Sequence, residues 1–169
     1  MVRRQEMEFK PPTQECAVPN IVVRIPEGAF PGTARAQLLA AITGAATTAE
    51  QIPQDPWNEL TCWVLLDEVP RGSWTCGGSD VTDELLPCMV VVRVPAGVLD
   101  DERRQRYARL VEDAFVAALP AAETRPLVTS VIIDDVPDGT WAVSGELWQL
   151  PQFAAAAGYG HLQQLVVAP

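Results

Sequence analysis

Two apolar runs, Val22-Val23-Arg24-Ile25-Pro26-Glu27-Gly28 and Val91-Val92-Arg93-Val94-Pro95-Ala96-Gly97, share one pattern of hydrophobic and polar positions. Each is followed at a similar distance by an acidic turn that ends in tryptophan: Asp67-Glu68-Val69-Pro70-Arg71-Gly72-Ser73-Trp74 and Asp134-Asp135-Val136-Pro137-Asp138-Gly139-Thr140-Trp141. Gly28 to Gly97 is an offset of 69 residues and Trp74 to Trp141 one of 67. Near-equal offsets mark a tandem duplication of one supersecondary unit, here residues 19–87 and 88–150, with a leader at 1–18 and a tail at 151–169. Two copies predict one pseudo-symmetric domain.

Within each copy the pattern changes period in the same order. The β-branched runs Ile21–Ile25 and Met89–Val94 read as buried strands, each stopped by Pro-x-Gly. In the second copy Tyr107, Leu110, Val111, Ala114, Phe115, Ala118 and Leu119 recur at helical steps, with Asp100, Asp101 and Glu102 in the first turn, where the helix dipole favours them. In the first copy Leu38, Leu39, Ile42 and Ala45 keep that step through an alanine-rich helix from about Thr33 to Thr48. A second strand follows each helix, Thr61–Leu66 and Thr129–Ile133. The units are therefore β-α-β with right-handed crossovers, and the pair predicts an α/β fold: a four-stranded sheet with two helices on one face. The turn with its tryptophan predicts a hairpin arm that needs a neighbour. In the tail, Phe153 to Ala157 predicts a short helix that Gly158 can end.

Composition narrows the function classes. The chain has 169 residues, 48% hydrophobic and 20% charged, which suits one globular domain. Its net charge of −10 opposes nucleic acid and anionic membranes as partners. No run of about 18 apolar residues occurs, and the opening MVRRQEMEFKPPTQECA lacks the apolar centre of a secretory signal, so a cytoplasmic location is expected. Cys16, Cys62, Cys76 and Cys88 form no CxxC pair, and His161 is the lone histidine; no metal site, disulfide or cofactor is expected. Cys62 and Cys76 flank a strand and its turn and could approach in a hairpin.

The order of features resembles the tautomerase superfamily typified by 4-oxalocrotonate tautomerase. A strand starts at Pro19, with Gly28 nine positions on; an amphipathic helix follows, then a strand ending in an acidic pair, then V-P-x-G-x-W with Gly77 and Gly78 close behind. The resemblance covers about 19–148, in both copies. It implies a fused two-repeat subunit, a homotrimer closed like a barrel, and active sites at the amino-terminal ends of the first strands, acting on a small-molecule substrate. It also implies an amino-terminal proline as general base or nucleophile. The matching residue is Pro19, whose nitrogen here is a tertiary amide behind Val18. The family's first arginine falls on Ala29 and Val98, its second on Trp63 and Ser130.

The candidate residues follow from these matches. Pro19 and, at the same place in the second copy, Cys88 are the candidate nucleophiles or bases, with His161 as an acid-base group in the tail. Arg24 and Arg93 lie inside apolar strands, so each is paired with the acidic turns Asp67/Glu68 and Asp134/Asp135 or faces a central cavity. The same acidic pairs could provide a general base. Trp74 and Trp141 line a pocket or anchor an interface, and Tyr159 is a further ring group of the tail. Two function classes follow: an isomerase-like enzyme moving protons on a small carbonyl, enol or unsaturated acid without a free proline amine, or a non-catalytic protein that keeps the fold for binding or assembly.

Overall fold

The computed structural model describes residues 18–55, 58 and 60–166; Cys16 and nearly all of the leader expected at 1–18 lie outside them, as does the end of the tail. Strand β1 (Asn20–Pro26) alternates, with Ile21, Val23 and Ile25 buried on one face. The chain reverses through Gly28, whose positive φ of 74° suits a residue without Cβ, into helix α1 (Thr33–Glu50). Strand β2 (Trp63–Val69) returns parallel to β1, with Asn20 opposite Trp63 and Arg24 opposite Asp67. A small hairpin, β3 (Thr75–Cys76) and β4 (Ser79–Asp80), leads to β5 (Leu86–Pro95). Helix α2 (Asp101–Ala118) starts at Asp100, whose side chain accepts the Arg103 N–H at 2.8 Å, and β6 (Leu127–Val136) pairs parallel to β5.

The sheet order is β2-β1-β5-β6, and the two parallel pairs meet where β1 and β5 run antiparallel. Helices α1 and α2 cover one face. Leu38, Ile42 and Ala45 of α1 and Tyr107, Val111 and Phe115 of α2 close over Ile21, Val23, Val90 and Val92 in a single core. Burying each such side chain contributes about 1.5–3 kcal/mol. The other face carries a row that crosses all four strands, Leu65, Val22, Val91 and Ile132, in which Leu65 is 59% and Ile132 45% exposed.

The two hairpins differ. The first carries Trp74 half-buried on an otherwise exposed arm. The second, β7 (Trp141–Val143) and β8 (Glu146–Trp148), is folded back onto its own chain: the rings of Trp141 and Trp148 lie 5.4 and 5.2 Å from Phe153. Phe153 belongs to α3 (Leu150–Ala157), which opens with a Gln149–Gln152 capping box and ends at Gly158, in the left-handed conformation at φ 70°. A 3₁₀ turn (Gly160–Leu165) completes the described tail.

Candidate functional site

Because α1 runs back along β1, its last residue, Glu50, lies at the edge where β1 begins. Strand β5 runs the opposite way, so α2 begins at that same edge and its second turn brings Tyr107 to Glu50. The Tyr107 hydroxyl donates to Glu50 Oε1 at 3.0 Å, with both side chains wholly buried. Tyr159, from the tail, is buried beside the same carboxyl. Cys62 stands just ahead of Trp63, whose backbone N–H donates to the Pro19 carbonyl at 3.0 Å. The cluster therefore sits beside Pro19. Removal from water pushes the Glu50 carboxyl up to about 8, against the opposing effect of the Tyr107 and Tyr159 hydroxyls. Burial, and then the neighbouring Glu50, push the Cys62 thiol up to about 12 and the Tyr107 phenol well above its ordinary value. At neutral pH Glu50 keeps its proton, and the group can give and take protons without a buried charge.

The tail closes this edge. Gly160 N–H donates to the Gln51 carbonyl at 2.9 Å, and His161 Nε2 lies 2.7 Å from the Val98 carbonyl. A carbonyl only accepts, so that nitrogen carries a proton. His161 thus ties the tail to the chain just ahead of α2. Pro19 is buried, with its nitrogen in the peptide bond to Val18.

Cys88 does not share this edge. Met89 is opposite Arg24, so Cys88 lies near the far end of β1, about 20 Å from Pro19 at ~3.3 Å per residue. Within one chain the antiparallel pairing sets the two strand starts at opposite ends of the sheet, so Cys88 and His161 do not share a pocket there. Its thiol is buried and pushed up to about 12 by burial, Arg125 opposing this. A cavity of about 250 Å³ opens at that end, lined in part by Arg71, Asp83, Thr82 and Arg125. Its arginines already have carboxylates: Arg71 pairs with Asp83, and Arg125 donates to Glu123 at 2.8 and 2.5 Å and to the Thr82 carbonyl at 2.5 Å. These bonds hold Glu123 down at about 2.

The acidic turns serve as duplicated pins. Arg24 meets Asp67 at 3.5 Å and Arg93 meets Asp134 at 3.6 Å on the open sheet face; Arg35 of α1 meets Glu68 at 2.6 Å and Arg104 of α2 meets Asp135 at 2.5 Å. Each acid already faces a guanidinium, which leaves none of them placed as a free base. Trp141 is committed to Phe153, while Trp74 stays on its arm. Cys62 and Cys76 are both free, at opposite ends of β2. Among the described residues no group of three or more His, Cys, Asp or Glu could hold a metal ion, and no helix is long and apolar enough to cross a membrane.

Among solved structures, the chain is similar to an asymmetric trimer of fused 4-OT, with TM-score 0.61 and 21% identity over 76% of this chain and 94% of that one. The fold is the tautomerase fold, in its fused two-repeat form. The same tautomerase fold appears in RhCC from Rhodococcus jostii, at TM-score 0.61 and 17% identity over 89% of this chain and 99% of that one. Macrophage migration inhibitory factor of Toxoplasma gondii matches at TM-score 0.54 and 15% identity, covering 76% of this chain and 99% of that one. No family model and no curated protein matches the chain.

Sequence reasoning missed Glu50, Tyr107 and Cys62 as a group. A signal was present in Glu50 itself: an acid at a helix carboxyl end, where the dipole disfavours negative charge, with no basic residue three or four positions away.

Proposed function

We propose that the protein is a tautomerase-superfamily member that works as an isomerase-like enzyme, moving a proton on a small carbonyl, enol or unsaturated acid without a free amine at Pro19. The observation that carries this reading is the neutral, wholly buried acid Glu50, held by the Tyr107 hydroxyl beside the strand start where the fold's proline lies. A protonated carboxyl can donate to the substrate carbon from one oxygen and take the enol proton on the other, so the enol becomes a carbonyl and the acid is restored. We place the protein in homotrimers of about 55 kDa from three 18.3 kDa chains, because Leu65 and Ile132 on the edge strands otherwise leave exposed apolar surface on the open sheet face; the likeness to a trimer of fused 4-OT supports this. Turnover of phenylenolpyruvate-type enols and 2-oxo acids is the test. Wild type should convert at least one, and Glu50→Gln should lower that rate at least tenfold, about 1.4 kcal/mol of barrier. Light scattering that finds a monomer at micromolar concentration sinks the assembly.

A second reading, a non-catalytic binding or assembly protein, is favoured by the acylated nitrogen of Pro19 and by the buried Cys88 thiol. It wins if nothing in the panel is turned over.

A further inference from the structure

We infer that the cavity at the Cys88 end of the sheet is a binding site for a free branched-chain amino acid, an aliphatic side chain carried on a zwitterionic head. The other copy shows what fills such a seat. At the 67-residue offset Val69 matches Val136, Arg71 matches Asp138 and Asp83 matches Leu150, and the hairpin pairing keeps that register, Thr75 with Asp80 and Ala142 with Leu147. In the second copy the Leu150 N–H donates to Asp138 at 2.8 Å, and Leu150 lies so close over Gly97 that an added Cβ would be 2.9 Å from its Cδ2. The matching pair in the first copy is an ion pair, Arg71 with Asp83. Asp83 turns to the guanidinium, and a Cβ on Gly28 would meet nothing within 4 Å. The cavity of about 250 Å³, with Pro26, Val69, Arg71 and Asp83 in its wall, is thus the seat that a leucine of the same chain takes at the other end of the sheet.

The frame of the seat is held without an occupant. Asp80 accepts the Gly72 N–H at 2.8 Å and the Thr82 N–H and hydroxyl at 2.9 and 2.7 Å, and Arg125, gripped by Glu123, donates to the Thr82 carbonyl at 2.5 Å. The turns around Gly72, Thr82 and Arg125 are therefore tied together before anything binds, which keeps the ordering cost of binding low. Arg125 is committed to this frame. Arg71 reaches Asp83 through Nη2, so its Nε and Nη1 remain for a carboxylate, while Glu27 and Asp83 face the same space and suit an ammonium. Arg71 and Asp83 are both exposed, and a pair at such a surface is weak enough to share its charges with a ligand. A ligand of one sign meets repulsion on part of this rim, whereas a zwitterion meets opposite charge at both of its ends. Beneath the rim, Pro26 and Val69 give the apolar wall on which an aliphatic side chain leaves water. The volume lies just under the roughly 300–1,000 Å³ of sites for drug-sized ligands, which suits a single amino acid.

The site does not involve Glu50, so its test is independent of turnover. Equilibrium dialysis of the full chain against labelled leucine, competed by glycine, isocaproate and isoamylamine, separates the parts of the ligand: glycine keeps the head without the side chain, and the acid and the amine keep one charge each. Leucine should bind at millimolar concentration or below, and the three competitors at least tenfold more weakly. Arg71→Ala should lower the leucine affinity at least tenfold. Asp83→Leu, which gives the first copy the residue its counterpart carries, should abolish binding by filling the seat. Both positions are exposed, so neither substitution removes a core contact. No bound leucine, a glycine affinity equal to that of leucine, or leucine binding unchanged in either variant overturns the proposal. So does a wild type that ignores leucine while Asp83→Leu changes the mass of the assembly in light scattering, because the seat then belongs to a neighbouring chain.

Discussion

Val22 and Val91, counterparts at the 69-residue offset, stand directly opposite each other in the β1–β5 pairing. The pseudo-twofold axis of the duplication therefore passes between them, and rotation about it turns the pair Asn20–Arg93 into the pair Met89–Arg24. Arg24–Asp67 and Arg93–Asp134 are the same ion pair drawn twice, as are Arg35–Glu68 and Arg104–Asp135. The same rotation sends the Pro19 edge and the Cys88 edge to opposite ends of the sheet.

Gly28 and Gly97 are also counterparts, with positive φ of 74° and 95°, and alanine at either is strained. At Gly28 an added Cβ meets nothing within 4 Å, whereas at Gly97 it would lie 2.9 Å from Leu150 Cδ2. Gly28→Ala should cost about 1–2 kcal/mol, from backbone strain alone. Gly97→Ala should cost somewhat more, because the Leu150 side chain must also turn aside. Urea midpoints of the two variants check the order.

Glu50 makes stability fall as pH rises. The folded state keeps a proton that the unfolded chain releases near the ordinary carboxyl value of 4.5, so this contribution is full below that value and is lost progressively toward about 8. For a wholly buried carboxyl the loss is on the order of several kcal/mol. Glu50→Gln should flatten the decline of Tm between pH 5 and pH 9 and be more stable than wild type at the upper end. Glu123, held at about 2 by Arg125, has the opposite sign: its contribution is present above 4.5 and lost as pH falls toward 2.

Phe153 joins Trp141 and Trp148 inside one subunit, so Phe153→Ala should lower the stability of the chain itself by about 3–5 kcal/mol. Trp74→Ala should act on association instead, because the arm that carries it has little contact with its own core. Unfolding at several protein concentrations separates the two: the first defect is independent of concentration and the second is relieved as concentration rises.

Thiol reagents should find Cys76 within minutes, since it is exposed on the arm. Cys62 and Cys88, with thiols pushed up to about 12, should label only at the rate of local opening. Peptide mapping by mass spectrometry distinguishes the three.

The duplicated strands, both long helices and the arms were legible because their signals are local: β-branched runs, three- and four-residue apolar steps, and turn residues at equal offsets. The alanine-rich α1 ran two residues past the expected Thr48, and those residues include Glu50. The site itself was not legible. Glu50 resembles a solvated charge at a helix end, Tyr107 a core aromatic and Tyr159 a tail residue, and only the antiparallel meeting of the repeats brings them together. Cys88 and His161 were drawn toward one pocket by sequence position, which does not encode the direction in which β5 runs.

The duplication leaves a chain whose backbone is nearly symmetric and whose surface is not. One hairpin is spent on its own tail and the other remains outstretched, so each subunit has an arm to offer and no matching arm to receive. In the trimer proposed above, contacts made through that arm would be heterologous, head to tail rather than reciprocal. Such contacts end either in a closed ring or in an open filament, and the small rotation at the arm decides which.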